Sequence, residues 1–392
     1  MTLASRGIEF AKGVDSLLGR PLAKAAHGGQ RPLPSEPSNV LAIRLWGLGN
    51  LALLAPQFAA SCDIRVRLLT LKQNAPFVRR YFPHVELLNV PAPSSLSFPG
   101  VALALARKLR RDPPDVIVDC EQFLRLPLAL ARWASGAPCV GLDTPGQGRR
   151  PLLDSSLAYD PFTHVGQSFA SLWDKAGLPS CRTPGGLICS AQEHEELRRR
   201  WGLDARPLVV LHPGSGDHFP GRRWPAERFG ELLLHLAADG QYQFVLTGNH
   251  NETHLAAVAR AVALQTPHAG DVHDLSGRLS IEALVELLGG AALLVTNDTG
   301  PLHIADALGT ATVALFGPNT PHRYGPRHAG SVALYAELPC SPCLDARNMK
   351  RSSCRHYSCM TALTVSDVSQ ACKTAMASPS SPPSSGPHAL TP

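Results

Sequence analysis

The chain has 392 residues, 44% of them hydrophobic, which is enough for two ordinary domains with buried cores. Its net charge of +6 comes mostly from arginine, since only seven lysines are present; this suits phosphate groups or an anionic membrane surface, and without a basic run or interleaved aromatic stripe nothing points to nucleic acid. No apolar run reaches the ~18 residues of a spanning helix and no early apolar core precedes a small-residue cleavage site, so the sequence predicts a cytoplasmic protein whose ten cysteines are thiols or metal ligands.

Residues 1–38 join a short amphipathic stretch (Ile8, Phe10, Val14, Leu17, Leu18) to a Gly- and Pro-rich run. They read as an N-terminal arm, either mobile or in peripheral contact with an inner membrane surface. From Asn39 the pattern becomes apolar strand, Gly-rich turn and helix: NVLAIRL, WGLGN, LALLAPQFAAS. Strand candidates at 64–70 and 115–120, with a helix over 101–111 between them, make 39–200 a domain with a parallel sheet. A second such domain spans 201–345, opening with the strand and glycine loop PLVVLHPGSG and the helix 224–240. QYQFVLTG, a helix over 252–264, DLSGRLSIEALVELLGG and the strand ATVALFGP continue it. Residues 346–376 form a Cys-containing segment and helix, and the Pro- and Ser-rich tail 377–392 reads as disordered.

The richest stretch is VTNDTGPLHIADALG, residues 295–309. Leu293, Leu294 and Val295 make a buried strand, Asn297 to Gly300 a tight turn, and Pro301 sits where a first helical residue is favoured. Free amides and the positive end of the helix dipole then suit an anion, usually a pyrophosphate in an open α/β sheet. Asp298 or Thr299 can cap this helix, and His303 lies in its first turn. An ordinary capped helix with a packed histidine is the alternative.

Taken in order, HPGSG…RRWPAERF, LTGNHNE, DLSGRLSIEALVELL, TNDTGPLHIADALG and VALFGPNTPHRYGP resemble the ADP-heptose:lipopolysaccharide heptosyltransferase family, glycosyltransferase family 9, closely across about residues 205–326. The resemblance implies a GT-B architecture, in which two Rossmann-like parallel-sheet domains face each other across a cleft and the second binds the nucleotide sugar. It also implies an inverting, metal-independent transfer, and the chain contains no Asp-x-Asp triplet to hold a divalent ion. Cationic side chains and backbone amides then neutralise the diphosphate. By motif, Asp298, Thr299, Gly300 and His303 look like the diphosphate and sugar clamp, and Gly214 and Ser215 like small residues that let backbone approach phosphate. Arg222 stands where relatives commonly carry a lysine. Glu252 resembles the acid that accepts from ribose hydroxyls, or else it is a helix-start glutamate beside the dipole. Gly317 and Pro318 are expected to shape the cleft wall.

The first domain departs from the family where chemistry is expected. Relatives commonly close the first glycine turn with an aspartate, the candidate base; here GLGN ends at Asn50, and an amide is not a general base. Asp119 and Glu121 follow a strand whose carboxyl end faces the cleft in this architecture, so either can replace it, unless Asp119 merely caps the next helix. Cys340, Cys343, Cys354 and Cys359, spaced C-x2-C-x10-C-x4-C, can form a tetrahedral structural zinc site, a pair of disulfides or four packed thiols. The resemblance therefore implies a glycosyltransferase that moves a sugar, heptose from ADP-heptose, to a lipopolysaccharide core or similar saccharide–lipid acceptor. Two rivals are a nucleotide-sugar-binding protein with lost or reduced turnover, prompted by Asn50, and another GT-B enzyme such as a nucleotide-sugar epimerase.

Overall fold

A computed structural model describes residues 3–25, 29–91, 97–216, 219–238, 240–265 and 269–377. The Pro- and Ser-rich tail beyond Ala377, expected to be disordered, lies outside them. The chain divides into two compact units, residues 1–183 with 343–353, and residues 184–342 with 354–392.

The first unit runs α1 (Leu3–Ala25), β1 (Asn39–Ile43), α2 (Leu48–Ala60), β2 (Arg65–Leu71), α3 (Ala75–Tyr81), β3 (Glu86–Val90), α4 (Phe98–Arg111), β4 (Val116–Asp119), α5 (Leu126–Ser135), β5 (Cys139–Asp143), β6 (Ser155–Ala158) and α6 (Val165–Lys175). All six strands pair in parallel, in the order β3-β2-β1-β4-β5-β6. One face is covered by α4 and α5, whose Leu105, Leu109, Leu128 and Ala131 pack on Leu41, Ile43 and Ile117. On α2, α3 and α6, an aromatic cluster joins Phe58, Phe77, Phe82 and Trp173, with Phe58 and Phe82 centroids 5.1 Å apart.

Within the stretch read as an N-terminal arm, α1 is a helix docked on α5, with a carboxylate at the contact. Asp15 is buried; its Oδ1 accepts from the backbone N–H groups of Arg125 and Leu126 at 2.7 Å each, and its Oδ2 accepts from Arg125 Nε at 3.0 Å. A carboxylate on one helix thereby satisfies the first amides of another, which have no cap from Arg125 itself. Gly19 permits the approach, since a Cβ there would lie 2.9 Å from Arg125 Nε.

The second unit runs α7 (Ala191–Trp201), β7 (Leu208–His212), α8 (Ala226–Ala237), β8 (Gln243–Leu246), α9 (Thr253–Ala263), β9 (Val272–Asp274), α10 (Ile281–Gly289), β10 (Leu293–Asn297), α11 (Gly300–Leu308), β11 (Thr312–Phe316), α12 (Pro321–Tyr324), β12 (Val332–Tyr335), α13 (Ser358–Thr361) and α14 (Val365–Ala377). Its parallel sheet, β12-β11-β10-β7-β8-β9, repeats the strand order of the first. Helices cover both faces, so β7, β10 and β11 are buried throughout and read as unbroken apolar runs rather than alternating ones. Helix α7 belongs here, with His194 Nδ1 3.0 Å from the Glu286 carbonyl. The C-terminal segment is shared: 343–353 belongs to the first unit, whereas α13 and α14 belong to the second. Among the described residues no helix is long and apolar enough to cross a membrane.

Candidate functional site

Open parallel sheets bind ligands beyond the carboxyl ends of the strands, where the strand order reverses. In the second unit that point lies between β7 and β10, paired with Thr296 opposite His212. The loops leaving these strands are Pro213–Gly216 and Asn297–Gly300.

Asn297 ties them together. Its side chain is fully buried, with Nδ2 donating to the carbonyls of Pro213 and Gly214 at 2.9 Å each and Oδ1 accepting from Trp224 N–H at 2.9 Å. Arg222 makes a second bridge: Nη2 donates to the Ser215 carbonyl at 2.6 Å and Nη1 lies 3.3 Å from Asp298 Oδ2. Asp298 also accepts from Asn319 Nδ2 at 2.8 Å. Its carboxylate is thus held by neighbouring loops, and α11 starts at Gly300 with Thr299 making no side-chain cap. Thr299 supplies no side-chain cap, and the residue before it, Asp298, carries the Arg222 guanidinium to the start of the helix. His303 is buried in α11, its ring 6.0 Å from that of Tyr324.

Glu252 is the inner support of this site. Its Oε1 accepts from the N–H groups of Ser215 and Gly216 at 2.8 Å each, and Oε2 accepts from Asn249 N–H at 3.2 Å and Nδ2 at 2.7 Å. Arg223 Nη2 approaches at 3.4 Å. The carboxylate is 1% exposed and crosses directly under Gly214, where a Cβ would come within 2.4 Å of it. His212 stands behind, Nδ1 3.0 Å from Thr247 Oγ1, and burial holds its imidazole below the ordinary range. Arg222 Nε and Arg223 Nε are buried donors with no acceptor among the described residues, a feature that fits an anionic oxygen at this loop. Chemically the arrangement offers two guanidinium groups, a helix N-terminus and fixed backbone, all suited to negative charge developing on phosphate.

In the first unit the corresponding point lies between β1 and β4, with Ile43 opposite Asp119. Here two arginines clamp the end of β4. Arg149 donates to the Asp119 carboxylate and to the Glu121 carbonyl, while Arg44 Nη1 donates to the Cys120 carbonyl at 2.7 Å and lies 3.4 Å from Glu121 Oε2. Glu121 Oε1 accepts from Leu45 N–H at 2.7 Å, and Asn74 Nδ2 donates to the Leu45 carbonyl at 2.9 Å. All four charged side chains are buried; Glu121 holds the turn that leads to Asn50, and Asp119 holds the end of β4. Asp119 Oδ1 accepts from Glu121 N–H at 3.0 Å, two residues on, and so caps its own loop rather than α5. Burial pushes its carboxyl up to about 6, against the pull of Arg149. Asn50 is half-buried in α2, with Nδ2 3.3 Å from the Trp46 carbonyl.

The four late cysteines are not assembled into one ligand set. Cys340 is exposed, Cys343 accepts from Ser352 Oγ at 3.2 Å in the first unit, Cys354 is half-buried in the second, and Cys359 is buried beneath Gly317. Among the described residues no three His, Cys, Asp or Glu side chains gather as metal ligands, and all ten cysteines are thiols. The cysteines therefore do not fit a tetrahedral centre. Gly317, expected in a cleft wall, lets α13 approach: a Cβ would meet Met360 Sδ at 2.5 Å.

Sequence reasoning located Gly214, Ser215, Arg222, Glu252 and Asp298, which the structure brings together. It passed over Asn297, Asn319, Arg223 and His212. Two of these had a signal: Asn297 immediately precedes Asp298, and Arg223 follows Arg222.

Residues 102–353 match the model of glycosyltransferase family 9 (heptosyltransferase). Lipopolysaccharide heptosyltransferase 2 of Salmonella typhimurium is 36% identical over 116 residues, 30% of this chain and 32% of that protein; the chain thus spans about a third of this relative's length in sequence. In structure, the ADP-heptose lipopolysaccharide heptosyltransferase II of E. coli superposes with a TM-score of 0.67 at 21% identity, covering 86% of this chain and 98% of that one. E. coli heptosyltransferase WaaC with ADP gives 0.63 at 19%, covering 86% and 99%.

Proposed function

Because the chain belongs to glycosyltransferase family 9, we propose that it transfers a heptosyl group from ADP-heptose to a saccharide borne on a lipid, the lipopolysaccharide core being the acceptor that the relatives' names support. One observation carries the reading: Asn297 and Arg222 join the loop after β7 to the start of α11, setting cationic and amide donors around a single point. As the bond from the anomeric carbon to the diphosphate oxygen breaks, charge grows on that oxygen, and Arg222 with the α11 amides stabilises it. The acceptor hydroxyl attacks the opposite face of an oxocarbenium-like centre, ADP departs with the electron pair of the broken bond, and the hydroxyl proton passes to water. Asn50 does not take that proton. Asp119 and Glu121 are the candidate acids at the carboxyl end of β4, and both are engaged in the clamp there. General-base assistance is worth about 10²–10⁴ in rate, so positioning and charge stabilisation can still sustain turnover. Membership of the family favours transfer over the epimerase reading.

The test is titration of ADP, UDP and GDP, followed by transfer assays on Arg222→Ala, Asp298→Ala and His303→Ala. ADP is expected to bind most tightly, and loss of a charged hydrogen bond is expected to weaken donor use about 10- to 100-fold. Wild-type kinetics in both Asp298→Ala and His303→Ala would overturn the assignment.

A further inference from the structure

Helix α1 turns large apolar side chains outward while charged residues take part in its buried side. Its inward side carries Asp15, clasped by Arg125, and Lys12, bonded to Glu9 at 2.7 Å and lying over the Phe123 ring. Its outward side carries Phe10, Leu17 and Leu18, spaced at seven and eight residues, with 52%, 74% and 46% of their surface exposed. The helix is not loosely placed: Arg351 Nη2 reaches Glu9 at 3.0 Å, and Asp15 fixes its rotation about its own axis.

The neighbouring helices extend the same face. Helices α1 and α4 both pack against α5, and all three contribute to the core on one side of the first sheet, so their outward residues point away from it together. On α5 the outward residue is Trp133, 63% exposed, with the Arg110 guanidinium 5.0 Å from its ring centroid. On α4 it is Leu103, half-exposed, followed by the exposed Arg107 and Arg111 on a helix that contains no acid. An apolar stripe, a tryptophan paired with arginine and a run of exposed arginines lie side by side.

We infer that this face of the first unit docks on the surface of an anionic phospholipid bilayer, with the α1 stripe sunk among the acyl chains at the headgroup boundary and Arg107, Arg110 and Arg111 against lipid phosphates. The chemistry selects that occupant. A protein interface matches apolar surface with few charges at its centre, whereas an interfacial membrane helix combines an apolar face with basic and aromatic flanks. The inference is independent of the transfer reaction, because binding is read without donor or acceptor.

The experiment is flotation of the full chain with vesicles of phosphatidylcholine alone or mixed with phosphatidylglycerol. Binding is expected to the mixed vesicles, to weaken as salt rises, and to fall about tenfold or more in a Phe10→Ser, Leu17→Ser double variant. Arg107→Gln with Arg111→Gln is expected to lessen the preference for phosphatidylglycerol while leaving residual apolar binding. These side chains are exposed, so unchanged ADP binding and melting in the variants would exclude misfolding as the cause. No binding to either vesicle, or binding indifferent to the α1 substitutions, would overturn the inference. So would a wild-type dimer in light scattering that the double variant abolishes, since the face would then be covered by a second copy.

Discussion

Asp119 is a buried carboxylate whose protonation changes well above the ordinary carboxylate range. Its ordinary value is 3.8 and its folded value about 6, so between these the native chain keeps a proton that the unfolded chain has lost. Its contribution therefore favours folding below this window, is lost as pH rises through it, and stays absent above about 6. Urea midpoints of the wild type and Asp119→Asn, compared from about pH 4 to about pH 7, should show the wild type losing ground to the variant as pH rises. A constant difference would mean that Asp119 is ionised throughout. Glu121→Gln asks a different question. The amide keeps an oxygen for Leu45 N–H but leaves Arg44 without its counter-charge, and breaking such a buried pair costs about 3–5 kcal/mol. Lower stability with turnover within tenfold is expected. A loss of about 10² or more in turnover at unchanged stability would instead identify Glu121 as the base. Asn50→Asp, which restores the acid common among relatives, should raise turnover in the same assay.

Among the elements, the two glycines Gly214 and Gly230 separate site from scaffold. A Cβ on Gly214 meets the Glu252 carboxylate, and a Cβ on Gly230 of α8 meets the Ala259 carbonyl on α9 at 2.5 Å. Alanine at either position should cost about 1–3 kcal/mol in chemical denaturation, but only Gly214→Ala should also weaken ADP binding. The strands β1, β7, β10 and β11 were legible in the sequence because NVLAI, LVVLH, LLVTN and TVALF are continuous apolar runs ending in turns. The short strands β3, β6 and β9 were not: ELLNV, SSLA and VHD are short, mixed in polarity and only partly buried. The docking of α1 was hidden for a sharper reason, since its apolar spacing marks the outward side and the contact is made by Asp15. Asn297 escaped notice because an asparagine before a glycine turn ordinarily signals the turn itself. Cysteine spacing along the chain does not say which unit each thiol joins, and Cys343 joins a different one from Cys340, Cys354 and Cys359.

For the molecule as a whole, two separate cores predict two unfolding transitions in calorimetry rather than one. ADP at about 100 times its dissociation constant should stabilise the second unit by about 2.7 kcal/mol and raise that transition alone. A chelator such as EDTA should leave the rate of transfer unchanged, because Arg222 supplies the charge that a divalent ion would otherwise bring. Immediate loss of activity restored by magnesium would contradict the mechanism.

The first unit is completed by residues 343–353, which lie after the whole second sheet in the chain. Tyr159 bonds Asp345, Gln147 bonds the carbonyl of Arg347, and Glu9 bonds Arg351, all spanning well over a hundred residues. On the ribosome these partners arrive only after the second sheet has been made. The half that is made first must therefore wait, with these contacts unmade, until the half that is made second has nearly left the exit tunnel.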